Sequence, residues 1–299
     1  MKVAVTTGSV SPESSWHVSQ LRKAFQLRGD EVVTFSLKRI TGRIGLNPLA
    51  SYNGVRLDDL DAVVVRPVGR GSVDELFFRM DFLRRLERSG VTVVNRPQAI
   101  ERAVNKYNAL ALLEESGLPV PRTVVSTNVE DALQGFEELG GDVVVKPLFG
   151  SRGEGTTRVT DPEIALRAFR NLLYYREVIY LQEFIDHGNR DYRLFVVGDD
   201  VAASMVRASN TWKTNIAQGA RAEPFTPTDR MRKDCLEACD ALGCEVAGVD
   251  VLPSGHDEYV FTEVNSQPGW RGLQSVTKRN IARLIAEHVA ELAQPRNSL

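Results

Sequence analysis

The stretch 143-VVVKPLFGSRGEGTT-157 decides how this chain is read. A continuous apolar run ends in Lys146 and Pro147, and glycines follow at 150, 153 and 155. An ammonium at the mouth of a buried strand is costly unless an anion waits there. Three glycines within six residues permit positive φ and a close backbone approach to a ligand. A surface hairpin carrying a solvated lysine would use the same residues. The remainder of the chain has to separate a phosphate cradle from a plain turn.

The 299 residues suffice for two or three modules around a large interior. Hydrophobic and charged fractions of 42% and 25% are those of an ordinary globular protein, and a net charge of −2 points to neither nucleic acid nor an anionic membrane. The longest apolar runs, such as 61-DAVVV-65, are strand-sized, which predicts no membrane-spanning helix. Met1-Lys2 leads straight into an apolar strand without the stretch a signal peptide needs, so a cytoplasmic location is expected. The three cysteines, at 235, 239 and 244, lack a fourth ligand and any nearby histidine. They fit the apolar face of a helix over 227–243 better than a zinc site.

Apolar strands 2–6, 31–35, 61–66 and 91–95 alternate with helices 14–29 and 74–90, which implies a parallel sheet covered on both faces. The intervening 38–54 is glycine-rich and unperiodic, and reads as a loop. One helix over 98–116 leads into a small α+β unit that holds the opening stretch. From 178 onward the pattern is mostly antiparallel, with a hairpin turning at 198–200, another joining 245–252 to 258–265, and a last amphipathic helix, 280–292, closing the carboxy-terminal domain. The expected fold is α/β with α+β parts. It comprises a parallel-sheet domain (1–97), a small central domain (98–185) and a mostly antiparallel domain (186–299). His256 and His288 read as surface residues.

The second hairpin sharpens the chemistry. With its turn centred between His256 and Asp257, Asp250 pairs with Glu263, and Asn265 shares the face of Glu263. Carboxylates with Cβ atoms roughly 5 Å apart repel unless a proton or a cation lies between them. With the Asn265 carbonyl they form an all-oxygen set suited to magnesium bridging phosphates. A solvated polar face is the alternative, and the apolar neighbours Val249, Val251, Val260, Phe261 and Val264 weigh against it. No P-loop, protein-kinase or dinucleotide-binding order fits, because Lys146 precedes its glycines. The four histidines form no triad.

Six segments together resemble the ATP-grasp carboxylate–amine ligases, and within them the RimK-like glutamate ligases. They are 105-NKYNALALLEESGLPVPRT-123, 143-VVVKPLFGSRGEGTT-157, 181-LQEFIDHGNRDYRLFVVGDDVAA-203, 212-WKTNIAQGA-220, 248-GVDVL-252 and 262-TEVNSQPGW-270. The resemblance implies an ATP-grasp fold whose central part is a lid, and an ATP-dependent enzyme forming an amide between an acceptor carboxylate and an amino acid, with L-glutamate as that amino acid. It implies that Lys106 and Lys146 contact phosphates, and that a loop including Gly150, Ser151, Gly153 and Gly155 closes over them. Gln182, Glu183, Phe184 and Ile185 would line the adenine pocket, and Asp191 would bind ribose. Arg193 and Arg207 would neutralise the transferred phosphate, as catalytic groups. Asp250, Glu263 and Asn265 would hold two Mg²⁺ ions, or Mn²⁺. Lys213, Thr214 and Asn215 would meet the amino acid. Lys213 stands where the family usually has arginine, and it cannot make a planar two-pronged carboxylate bond. The tail from Pro268 resembles the branch acting on pterin-type cofactors, so Trp270 is expected to stack on a flat acceptor and Arg271 to pair with its carboxylate. The amino-terminal loops 7–14, 38–54 and 66–73 would face the acceptor. A dimer or tetramer is expected. The alternatives are another amino acid, a carrier-protein glutamate as acceptor, or a regulatory nucleotide-binding protein without turnover.

Overall fold

The structure is a computed structural model, and it describes residues 1–9, 15–150, 153–255 and 258–294. The amino-terminal part runs β1 (Lys2–Thr7), α1 (Trp16–Leu27), β2 (Glu31–Ser36), β3 (Ile40–Gly42), β4 (Ala50–Tyr52), β5 (Val55–Arg56), β6 (Ala62–Val64), α2 (Val73–Arg88) and β7 (Thr92–Val94). Strands β2-β1-β6-β7 form one sheet in that order, every neighbouring pair parallel. Apolar cores lie on both of its faces, as near-continuous valine runs require.

Two helices follow where the sequence suggests one. α3 (Pro97–Val104) stops at Asn105, whose extended backbone (φ −89°, ψ 104°) and side-chain oxygen cap α4 (Lys106–Glu115). Asparagine competes for backbone donors and so favours a cap over a helix interior. The break puts Lys106 at the first turn of α4. Segment 38–54 is likewise more ordered than expected. Strands β3, β4 and β5 form a small antiparallel sheet, and β4 turns into β5 through Asn53 and Gly54, both at positive φ. That Asn-Gly pair was the available signal, and two- or three-residue strands are too short to show a period.

The central unit contains β8 (Thr123–Ser126), α5 (Val129–Glu138), β9 (Val143–Lys146), β10 (Thr157–Val159), α6 (Pro162–Tyr174) and β11 (Ile179–Glu183). Its sheet, β10-β9-β11-β8, is antiparallel and has its own apolar core with α5 and α6. The carboxy-terminal part adds β12 (Arg190–Val197), β13 (Asp200–Ala208), β14 (Arg221–Pro224), α7 (Asp229–Leu242), β15 (Val246–Pro253), β16 (Tyr259–Asn265), α8 (Arg271–Gln274) and α9 (Ile281–Ala293). The antiparallel order is β14-β13-β12-β15-β16.

One face of this sheet packs on α4 and α7, and the cysteines lie there as buried free thiols whose proton affinities burial pushes up. Part of the opposite face meets α1 and α9. The last helix packs on β12 and β13 of this sheet and also reaches the amino-terminal one, meeting α1, β6 and β7. His288 on α9 is half-buried rather than at the surface, 2.8 Å from Glu245, and His256 lies outside the described residues.

Candidate active site

The site begins with a register shift. Near the β15–β16 turn, Pro253 pairs with Tyr259 and Val251 with Phe261. Continued unbroken, that ladder would set Asp250 against Thr262. A bulge at Thr262 adds one residue to β16 and brings Glu263 opposite Asp250. It also explains why Phe261 and Val264, three residues apart, both enter the α7-side core. The expected pairing exists, and the bulge creates it. On the next strand Arg193 pairs with Asp250, so Arg193, Asp250 and Glu263 form a row across β12, β15 and β16.

Charge along this row is dense. The Asp250 carboxylate accepts from Arg193 Nη2 at 2.8 Å, and its other oxygen lies 3.0 Å from Arg207 Nη2. Arg207 also makes two 2.6 Å bonds to Asp191, which accepts at 2.5 Å from the Thr214 hydroxyl. Burial opposes the Arg207 charge, but Asp250 and Asp191 more than offset it and push its pKa up. Burial, then the charge of Asp250, raise the proton affinity of Glu263, against Lys106, Arg193 and Lys146.

Facing this row across a cleft of about 910 Å³ is the central sheet. Lys146, last on β9, bonds Gln182 Oε1 at 2.5 Å, and Gln182 donates onward to Thr123 and Tyr180. Burial draws the pKa of Lys146 down to about 8, with Lys106 adding to the effect and Glu263 opposing it. Lys106 is lowered as well, by burial. Val144, Lys146, Gln182 and Glu183 supply this wall, while Asp191, Arg207, Asp250, Leu252 and Glu263 supply the other.

The glycine loop roofs the cleft. Lys106 Nζ donates to Gly150 O at 2.9 Å and Lys213 Nζ to Thr156 O at 2.7 Å. At Gly153 (φ +70°) a Cβ would stand 2.4 Å from Asn215 Oδ1, so only glycine lets the two loops meet. Gly155, also at positive φ, packs against Pro147, and Ser151 lies outside the described residues. Phe184 and Ile185 line the cleft at the end of β11. Glu183 is anchored to Arg122 by bonds of 2.7 and 2.8 Å, and Arg158 lies 3.5 Å over the Phe184 ring.

Asp191 lines the cleft, and its oxygens accept from Arg207 and Thr214, bonds that fix the Arg207 guanidinium. Two expectations are corrected. Trp270 is 1% exposed and packs among Trp16, His17 and Phe195, so no acceptor ring can stack on it. Its apolar bulk wins the core site over any wet function. Arg271 is exposed, with its guanidinium 5.9 Å from the Trp16 ring, away from the cleft. Lys213, Thr214 and Asn215 do reach the cleft, and so does Trp212 beside them. Trp212 was missed although it opens the segment 212-WKTNIAQGA-220; its edge lies against Phe184, ring centroids 6.1 Å apart. Asn95 was missed too. Its side chain makes four bonds to the backbone of Glu245, Val246 and Ser266, joining the end of β7 to the strand and loop that carry the carboxylates.

The donor set fits a hard divalent cation. Two facing carboxylates and the Asn265 amide supply only oxygens, the donor type a hard cation takes. Asn265 donates its amide to Gly248 O at 3.4 Å, which leaves its oxygen for a cation. No third His, Cys, Asp or Glu joins them among the described residues.

Comparison with known proteins agrees with this geometry. The RimK pre-ATP-grasp domain matches residues 1–100 and the RimK-like ATP-grasp domain residues 103–289. The tetrahydromethanopterin:alpha-L-glutamate ligase of Methanococcus maripaludis is 35% identical over 96% of this chain and 98% of its own length. A probable alpha-L-glutamate ligase of Photobacterium profundum is 32% identical over 99% and 98%. Among solved structures, the ATP-grasp ligase PsnB complexed with minimal precursor, Mg and ADP aligns with a TM-score of 0.75 at 20% identity, covering 98% of each chain. A RimK domain ATP-grasp protein of Sphaerobacter thermophilus aligns with a TM-score of 0.73 at 21% identity, over 97% of this chain and 99% of that one.

Proposed function

The chain belongs to the RimK-like ATP-grasp family of carboxylate–amine ligases, and on that premise we propose that it joins the amino group of L-glutamate to the carboxylate of an acceptor at the expense of ATP. An acceptor carboxylate oxygen attacks the γ-phosphorus and ADP leaves. The glutamate nitrogen then attacks the acyl carbon and expels inorganic phosphate. The balance is amide, ADP, phosphate and one proton from carboxylate, ammonium and ATP.

The observation that carries this reading is the convergence of Lys106, Lys146 and Arg207 on the Asp250–Glu263 pair beneath one glycine loop. A loose phosphoryl transition state needs positive charge around its oxygens and little covalent help. Lys146 and Lys106 would hold the phosphates. Arg207, locked by Asp191, and Arg193, locked on Asp250, are rigid donors toward the transferred group and the acyl phosphate. Asp250, Glu263 and Asn265 would hold magnesium, which supplies charge neutralisation between phosphates. The roof of Gly150 to Gly155, tied to Lys106 and Lys213, would keep water from the acyl phosphate.

Lys213 spends one donor on Thr156 O and keeps others for an anionic amino acid. A pterin-type acceptor ending in a carboxylate is supported by the names of the methanogen relatives rather than by Trp270. The test is ADP release with each of the twenty amino acids, using a pterin-glutamate compound and a glutamate-ended peptide as acceptors. Glutamate should give the fastest release with at least one acceptor. Faster release with lysine or alanine for every acceptor would remove glutamate from the reading.

A further inference from the structure

Away from the cleft, the amino-terminal sheet ends in a buried cation that has no counter-charge among the described residues. Arg66 is 6% exposed, and its Nε is sealed from solvent with no hydrogen-bond partner. Among the described residues its guanidinium meets only the face of Trp270, 5.0 Å from the ring centroid. Burial draws its pKa down to about 10. A buried charge in such a setting is strongly unfavourable unless a partner arrives.

The placement suits a ligand. Arg66 follows β6 at the carboxyl edge of the parallel sheet. In the order β2-β1-β6-β7, β1 leads outward to β2 on one side and β6 to β7 on the other. The crevice between the ends of β1 and β6 is therefore the switch point at which open parallel sheets bind ligands. Arg66 is fixed there by its backbone, since its N–H donates to the Thr6 hydroxyl at 2.9 Å and its carbonyl accepts from the same hydroxyl at 3.2 Å. The following loop is shaped by buried Arg79, which donates to the carbonyls of Val68, Gly69 and Arg70 at 3.1–3.4 Å.

Arg66, Asn95, Ser266 and Trp270 line a small niche. Ser266, Pro268 and Trp270 of its wall follow closely in the chain on Glu263 of the cleft. Trp270 Nε1 and the neighbouring Gln267 Nε2 are also buried donors without partners. The two unpartnered donors on residues that line the crevice, Arg66 Nε and Trp270 Nε1, call for an anion with several acceptor lone pairs.

We propose that Arg66 docks a carboxylate of the acceptor, the one that is not phosphorylated, and thereby selects acceptors that end in a dicarboxylic unit. This rests on the ligase reading above. The planar guanidinium suits a carboxylate bidentately. Holding one carboxylate at the sheet crevice leaves the second to reach the phosphates along the 263–270 segment.

The test measures binding of N-acetyl-L-glutamate and its two monoamides by calorimetry, with a non-hydrolysable ATP analogue and magnesium present. Wild type should bind one monoamide about tenfold more weakly than the diacid, the loss expected for one charge-assisted bond. In Arg66→Met the diacid should bind as weakly as that monoamide, while affinity for the ATP analogue stays within about twofold. Arg66→Lys, which keeps the charge without the fork, should fall between the two, and it serves if the methionine variant fails to fold. Equal diacid affinity in wild type and variant, no discrimination against either monoamide, or no measurable diacid binding to wild type overturns the proposal. A binding difference that persists without any glutamate-dependent ADP release supports the anion site and instead removes the ligase reading.

Discussion

Lys146 should make nucleotide binding pH-dependent in a way that a solvated lysine could not. Its pKa falls from 10.5 to about 8, so at 1.36 kcal/mol per pH unit the buried ammonium is disfavoured by about 3 kcal/mol. Phosphate oxygens beside it would restore the charge and return the pKa to about 10 or above. At pH 9 the free group is then about one-tenth protonated and the bound group about nine-tenths, an uptake of about 0.8 proton per ATP. The terminal phosphate of ATP is already ionised at that pH and contributes none.

Calorimetric titration in buffers of different ionisation enthalpy reads this uptake directly. Lys106 is shifted in the same direction, so the quantity that tests Lys146 is wild type minus Lys146→Met. That difference should be about 0.8 at pH 9 and close to zero at pH 6. The affinity advantage of wild type should also shrink about tenfold between pH 7 and pH 9. The sign for stability follows from the same pKa. Between about pH 8 and 10.5 the unfolded lysine holds a proton that the folded one has released, so this group makes apo stability rise with pH across that window and has no pH effect below it. Equal proton uptake in the two proteins, or an affinity ratio independent of pH, would refute the burial argument.

Glu263→Gln preserves shape and removes half the facing carboxylate pair; turnover at saturating magnesium should fall on the order of a hundredfold with the melting temperature preserved, and a loss under threefold would remove Glu263 from the site. Trp270→Ala should destabilise the fold by about 3–5 kcal/mol in denaturant titration, as emptying a fully buried aromatic site does, while ATP affinity in the folded fraction is retained. Gly153→Ala places a Cβ against Asn215 at a positive φ, so loop closure should weaken and kcat fall about tenfold or more with little change in apo stability; unchanged single-turnover rates would contradict the contact.

The family, the order of its parts and most of the cleft could be read from residues in line. Valine runs without alternation meant a sheet buried on both faces, and the lysine before three glycines needed an anion to make sense. Lys146 and the Asp250–Glu263 pair are recognisable from residue type and spacing, because their local strand or loop context suffices, whereas Lys106, Gln182 and Lys213 stand out only through the family resemblance. What depended on distant packing was not legible. Whether Trp270 faces a ligand or a core is set by Trp16, His17 and Phe195, which lie up to 254 positions away in the chain. The partners that occupy Asp191 arrive from β13 and the loop after it. The bulge at Thr262 leaves no mark in composition, yet it decides which face Glu263 occupies. Arg66 in sequence is one more strand-end arginine; only the tertiary fold buries it, gives it no carboxylate among the described residues and sets it at the switch point of the sheet, because burial and charge pairing are properties of neighbours in space.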